Sequence, residues 1–168
     1  MRVTDRLPIA RHYACQRRVS SMQVQGSYRI PAPPQQVWEA FTDPHFVRQC
    51  LPGCQSFAPL GNDTYQATLE VGIASIKGVY TGRVAMEDKR PPFAYRLVVE
   101  GRSQLGFVKG IGDLTLQETA EKETEILVHG EVQVGGRIAR VGQRILGSAA
   151  KMMMDRFFQK AIRLITAS

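Results

Sequence analysis

Few side chains in this chain of 168 residues have the types and spacing that bond-making chemistry needs. His129 and Glu131 stand two apart, where a strand would put both on one face as an acid–base pair. On a solvated face such a pair reads as two ordinary surface groups. His12 and His45 stand alone. Cys50 and Cys54 flank Leu51-Pro52-Gly53, but a metal site needs more ligands than these two and no other His or Cys clusters beside them. A structural role is expected for both. No nucleophile elbow, phosphate loop or metal-ligand spacing is present. Gly135-Gly136 runs into a helical segment and could place an anion at its N-terminus, although a flexible strand-to-helix joint is the simpler reading. The sequence therefore assigns no catalytic and no metal-binding residue.

Apolar side chains are the better candidates. Trp38, Phe41, Phe46, Leu69, Val71, Tyr80, Leu97, Val99, Phe107, Met152, Met153 and Phe157 are expected to point toward one concave interior, as core or as the wall of a ligand cavity. Met and Phe line adaptable apolar spaces well. Tyr80 or Tyr95 is expected to supply a hydroxyl that orients a ligand carbonyl. A second candidate set is basic. Arg137, Arg140, Arg144 and Lys151 share a polar stripe that serves as a solvated helix face, or as a contact for anionic lipid or an acidic partner. Near such a membrane each charge contributes about 1 kcal/mol.

The elements that must position these residues follow from periodicity. Met22–Ile30 alternates and ends before Pro31, a first strand. Pro33-Pro34 opens a short helix with Val37, Trp38 and Phe41 on one face, and Pro44–Cys50 forms a second, ended by Pro52-Gly53. Period-two alternation then marks strands over Thr64–Ile73, Ile76–Met86, Phe93–Gln104, Phe107–Gln117 and Thr124–Val134. In the third of these Phe93, Tyr95, Leu97 and Val99 share a face. Glycines inside the strands predict a strongly bent sheet. Arg137–Thr166 reads as one long helix, with Ile138, Val141, Ile145, Ala149, Met152, Met153, Phe157, Ala161 and Leu164 at helical spacing. The fold class is α+β: a curved antiparallel sheet wrapped around a long C-terminal helix, with two short helices plugging one end. Such a wrap leaves room for an apolar cavity.

Composition sets the outer bounds. Hydrophobic content of 43% and charged content of 22% fit one globular domain. No run approaches the roughly 20 apolar residues of a membrane-spanning helix. The net charge of +7 is uneven: residues 1–21 carry +4, residues 22–136 carry −3 and residues 137–168 carry +6. Nucleic-acid binding is not indicated by that distribution. Three cysteines are too few for a disulfide framework, and no secretory signal with an apolar core is present, so a cytoplasmic location is expected. Residues 1–21 read as a detachable basic arm, and residues 22–168 as the domain.

Three segments together carry a resemblance. Val37-Trp38-Glu39-Ala40-Phe41 with Asp43-Pro44 and Cys50-Leu51-Pro52-Gly53-Cys54 is the first. Gly106-Phe107-Val108-Lys109-Gly110 is the second, and Gly135-Gly136-Arg137-Ile138-Ala139-Arg140-Val141-Gly142-Gln143-Arg144 the third. In this order they resemble the CoxG family of carbon monoxide dehydrogenase subunits, within the START-like (SRPBCC), helix-grip superfamily, from Met22 to about Ile165. The resemblance implies a non-enzymatic accessory protein that recruits a molybdenum hydroxylase to the cytoplasmic face of the inner membrane. It also implies a cavity that takes up an apolar ligand such as a respiratory quinone or lipid, with no other cofactor. Some members continue past the long helix into a tail. This chain ends at Ser168, so membrane contact is expected through the helix end, the basic arm or another protein. A polyketide cyclase or aromatase using the same cavity is the alternative, and would need polar acid–base groups inside. A START-like co-chaperone and a homodimer stay open.

Overall fold

Alternating side chains build most of this molecule, and the computed structural model describes residues 19–167. Seven antiparallel strands form one sheet: β1 (Val19–Ile30), β2 (Cys54–Gly61), β3 (Thr64–Val71), β4 (Gly78–Arg90), β5 (Ala94–Ser103), β6 (Gly106–Glu118) and β7 (Thr124–Gly136). Their order is β1-β7-β6-β5-β4-β3-β2. Every neighbour from β2 to β7 is thus a consecutive hairpin, and only β1 closes from a distance. Between β1 and β2 lie helices α1 (Pro34–Phe41) and α2 (Pro44–Cys50). A 3-10 turn at Arg137–Arg140 precedes the long helix α3 (Gln143–Thr166), which crosses the concave face.

Local chemistry explains the boundaries. Pro34 and Pro44 each sit in the first turn of a helix, where the missing N–H costs nothing. The Asp43 carboxylate caps α2 by accepting from the His45 N–H at 3.0 Å. Gly53 then turns with φ +69, and a side chain there would collide with the Glu70 carbonyl. This close approach lets the Gly53 carbonyl accept from the Glu70 N–H at 2.8 Å, tying the end of α2 to β3.

Two packed clusters hold α3 against the sheet. One joins Ile30, Val37, Trp38, Phe41, Tyr95, Leu116, Ile126, Phe158 and Ala161, closed over by α1. The other joins Val71, Ile76, Val134, Ile138, Leu146 and Ala149 at the opposite end. Thr124, fully buried, donates to the Ala32 carbonyl at 2.7 Å and so satisfies its hydroxyl. Tyr28 braces β1 to α3 twice: its ring stacks on Phe158 at 4.0 Å, and its hydroxyl donates to Asp155 Oδ1 at 2.6 Å. That hydrogen bond, helped by the Lys151 ammonium, holds the Asp155 carboxyl below the ordinary carboxylate value.

Several expectations need correction. Strand β1 starts at Val19, so Val19–Ser21 belong to the sheet; Ser21 donates to Glu131 at 2.6 Å. The rest of the expected basic arm, residues 1–18, lies outside the described residues. Strand β2 is one that the alternation does not mark. It is an edge strand carrying Pro59, which an edge tolerates because no ladder partner needs its N–H. The segment Arg137–Thr166 is not one helix, because Gly142 at φ +97 separates the 3-10 turn from α3. Burial therefore falls on Leu146 (4% exposed), and Ile145 is outside at 45%. Phe93 is likewise outside, at 56%.

A candidate apolar ligand cavity

Beside the first cluster, a cavity of about 330 Å³ remains between the sheet and α3. That lies at the low end of the range for small-molecule sites, about 300–1,000 Å³. Cross-strand register builds its floor. Tyr65, Val84 and Val99 stand side by side on β3, β4 and β5, Met86 pairs with Leu97, and Leu114 pairs with Val128. Met153, Met154, Phe157 and Phe158 of α3 form the roof. Thr42, Pro44, Val47, Leu51 and Pro52, from α2 and its flanks, line one side.

Six of the twelve residues expected at the cavity line it: Phe41, Leu69, Leu97, Val99, Met153 and Phe157. The other six are elsewhere. Trp38 is core, edge-on to Tyr95 at 5.5 Å between ring centres. Phe46 packs on Phe41 at 6.0 Å. Val71 and Tyr80 belong to the second cluster. Met152 lies in surface grooves beside Arg156 instead of under the roof. Phe107 faces the outside of the sheet, where its ring covers its cross-strand partner Gly135 and carries the Lys109 ammonium 5.8 Å above it.

Sequence reasoning missed Phe57, Met86, Leu114, Val128, Met154 and Phe158 among the lining residues. Alternation marks Met86 and Val128 as inward, but nothing in the sequence separates an inward side chain over solid core from one over open space.

Of the two tyrosines expected to orient a ligand, Tyr80 is spent: its hydroxyl donates to the Ile76 carbonyl at 2.7 Å. Tyr95 is 5% exposed and lines the cavity, and no described group hydrogen-bonds its hydroxyl. Burial alone pushes its ionisation up, so the phenol keeps its proton. Thr42 also lines the cavity, but its hydroxyl donates to the Trp38 carbonyl at 2.8 Å. Tyr65, half-buried, stacks on Phe57 at 4.9 Å toward the sheet edge. Among the described residues, no carboxylate, imidazole, ammonium or guanidinium lines the wall.

Among the described residues, Cys50 and Cys54 fit no reactive role. Burial pushes the Cys50 thiol up to about 11, and the Cys54 thiol is raised for the same first reason. Among the described residues no three His, Cys, Asp or Glu side chains are grouped to hold a metal ion. His129 is exposed on the outer face, and Glu131 there accepts from Ser21. In the basic stripe Arg137, Arg140 and Arg144 are exposed, whereas Lys151 turns to Asp155 at 3.3 Å. Among the described residues no helix is long and apolar enough to cross a membrane.

A bent sheet gripping a C-terminal helix, with two short helices after its first strand and a carbon-walled space between, defines a helix-grip protein. Solved structures share it. A conserved protein from Geobacillus kaustophilus is 34% identical, with a TM-score of 0.85 over 88% of this chain and 97% of that one. An uncharacterised protein from Rhizobium leguminosarum (12% identical, TM-score 0.66, 86% and 97% covered) shares the fold. So does a Chromobacterium violaceum protein (15%, 0.61, 85% and 96%). No curated protein matches the chain. Residues 26–164 match the family model of CoxG, one of the carbon monoxide dehydrogenase subunits, and the chain belongs to this CoxG family. Membership points to an accessory role beside carbon monoxide dehydrogenase.

Proposed function

We propose that this protein is a non-catalytic accessory of a molybdenum hydroxylase of the carbon monoxide dehydrogenase type. It binds an apolar ligand such as a respiratory quinone or lipid in its cavity and links the dehydrogenase to the cytoplasmic membrane. One observation carries the reading: a space of about 330 Å³ whose wall is almost wholly carbon, inside a family named for its dehydrogenase. An empty apolar space lacks the contacts a filled core would have, so it is a standing cost unless an occupant uses it. General acid–base catalysis of the cyclase type needs a titratable group in reach of the substrate. The lining residues include no acid, imidazole or amine, which favours the non-catalytic role.

Exposed Arg137, Arg140 and Arg144 suit contact with an acidic partner surface or anionic lipid. The test of the cavity is native mass spectrometry and organic extraction of the full chain purified from its own host. A co-purifying isoprenoid or acyl lipid, displaced by a variant that fills the space, is the expected result. A protein that neither carries nor takes up any apolar compound overturns the reading.

A further inference from the structure

Tyr95 lines the cavity, and its hydroxyl has no hydrogen-bond partner among the described residues. Tyr95 comes from β5, with its ring fixed edge-on by Trp38 and its cross-strand partner Leu114 beside it. The side chain is more than nine-tenths buried. No fully sealed side-chain oxygen or nitrogen among the described residues lacks a partner, so this hydroxyl is not wholly sealed, and Tyr95 is one of the residues lining the cavity. Two neighbouring hydroxyls are satisfied, Tyr80 by Ile76 and Thr42 by Trp38, and half-buried Tyr65 is within reach of water. A buried polar group left unpaired is destabilising, and a bound molecule that pairs it recovers that loss.

We infer that Tyr95 selects the ligand, donating its O–H to a carbonyl or equivalent acceptor on the part of the ligand enclosed in the cavity. The inference rests on the apolar-ligand reading above and narrows it from any hydrocarbon to a ring or chain that carries an acceptor inward. A phenol that keeps its proton can donate, and a neutral carbonyl accepts that proton without bringing a charge into the apolar space. A site built to hydrogen-bond one group rejects an analogue lacking it more strongly than an apolar pocket rejects a change of size. An acyl chain end buried here would leave the hydroxyl unpaired.

The experiment compares two bicyclic probes of nearly the same shape, 2-methyl-1,4-naphthoquinone and 2-methylnaphthalene. Each is titrated by calorimetry or fluorescence into the full chain, into Tyr95→Phe and into Tyr80→Phe. The unaltered protein and Tyr80→Phe are expected to prefer the quinone by about ten- to a hundredfold. Tyr95→Phe is expected to lose that preference while still binding the hydrocarbon at least as well, which shows that the variant folds and keeps its cavity. Equal preference for the quinone in Tyr95→Phe and in the unaltered protein overturns the role of Tyr95 alone. Binding of neither probe by any form overturns the cavity reading, and this inference with it.

Discussion

The two ends of strand β5 show what separates a core from a cavity. Tyr95 is a buried member of the first cluster as well as a cavity-lining residue, Leu97 packs against that cluster at the cavity wall, and Val99, four residues on from Tyr95, lines the cavity outside the cluster. All three are apolar-faced, inward-pointing and on one strand. The difference is what lies opposite. Near Tyr95, α1 brings Val37 and Trp38 down against α3, and Tyr28 adds an aromatic layer on Phe158. Further along the strand, Met153 and Met154 of α3 roof the cavity. Residue type puts a side chain inside; only tertiary neighbours decide whether inside is full.

That contrast can be broken by mutation. Leu116→Ala, in the filled cluster and away from the cavity wall, is expected to cost about 2–5 kcal/mol in urea unfolding. Leu97→Ala, facing the cavity, is expected to cost less than half of that, since part of its surface has no neighbours to lose. Equal costs would erase the distinction. Adding volume separates the regions in the other direction. Val99→Phe is expected to change stability by less than about 1.5 kcal/mol while abolishing uptake of apolar probes. Retained uptake would place the occupied space elsewhere.

A third measurement concerns the brace over the filled end. The Asp155 carboxyl titrates below its unfolded value of about 3.9, so its contribution is present above that pH and lost as pH falls through the lower folded value. Tyr28→Phe removes the largest cause and is expected to flatten the acid limb of stability against pH. A limb of unchanged steepness would mean that the bond does not form. The smallest stability effect is expected at the surface. Arg137→Glu with Arg144→Glu is expected to shift stability by no more than about 0.5 kcal/mol per site. Binding to the dehydrogenase or to anionic vesicles at low salt should fall, and unchanged binding sinks the docking role.

Legibility in the sequence differs along the same lines. Period-two alternation locates β3 to β7, and Pro33-Pro34 and Asp43-Pro44 locate α1 and α2, because these signals are local. Edge strand β2 stays hidden since Cys54–Gly61 has little alternation and contains Pro59. On α3 the phase slips by one residue. Counting in steps of 3.6 from Ile138 reaches Ile145 and Met152, but the 3-10 turn and Gly142 reset the count, so Leu146 and Met153 face inward. Phe107 misleads because a large apolar side chain usually means core. Here it shields Gly135 on the outer face, an arrangement that only the β6–β7 register reveals.

The size of the cavity sets a length scale for exchange. About 330 Å³ covers a ring system or a short branched chain, not a polyprenyl tail of many units. A long occupant must therefore lie with one part sheathed and the rest outside, as a thimble sits on a fingertip. On the apolar-ligand reading proposed above, the unsheathed length of such an occupant would stay in the solvent it came from, and only its sheathed end would change surroundings.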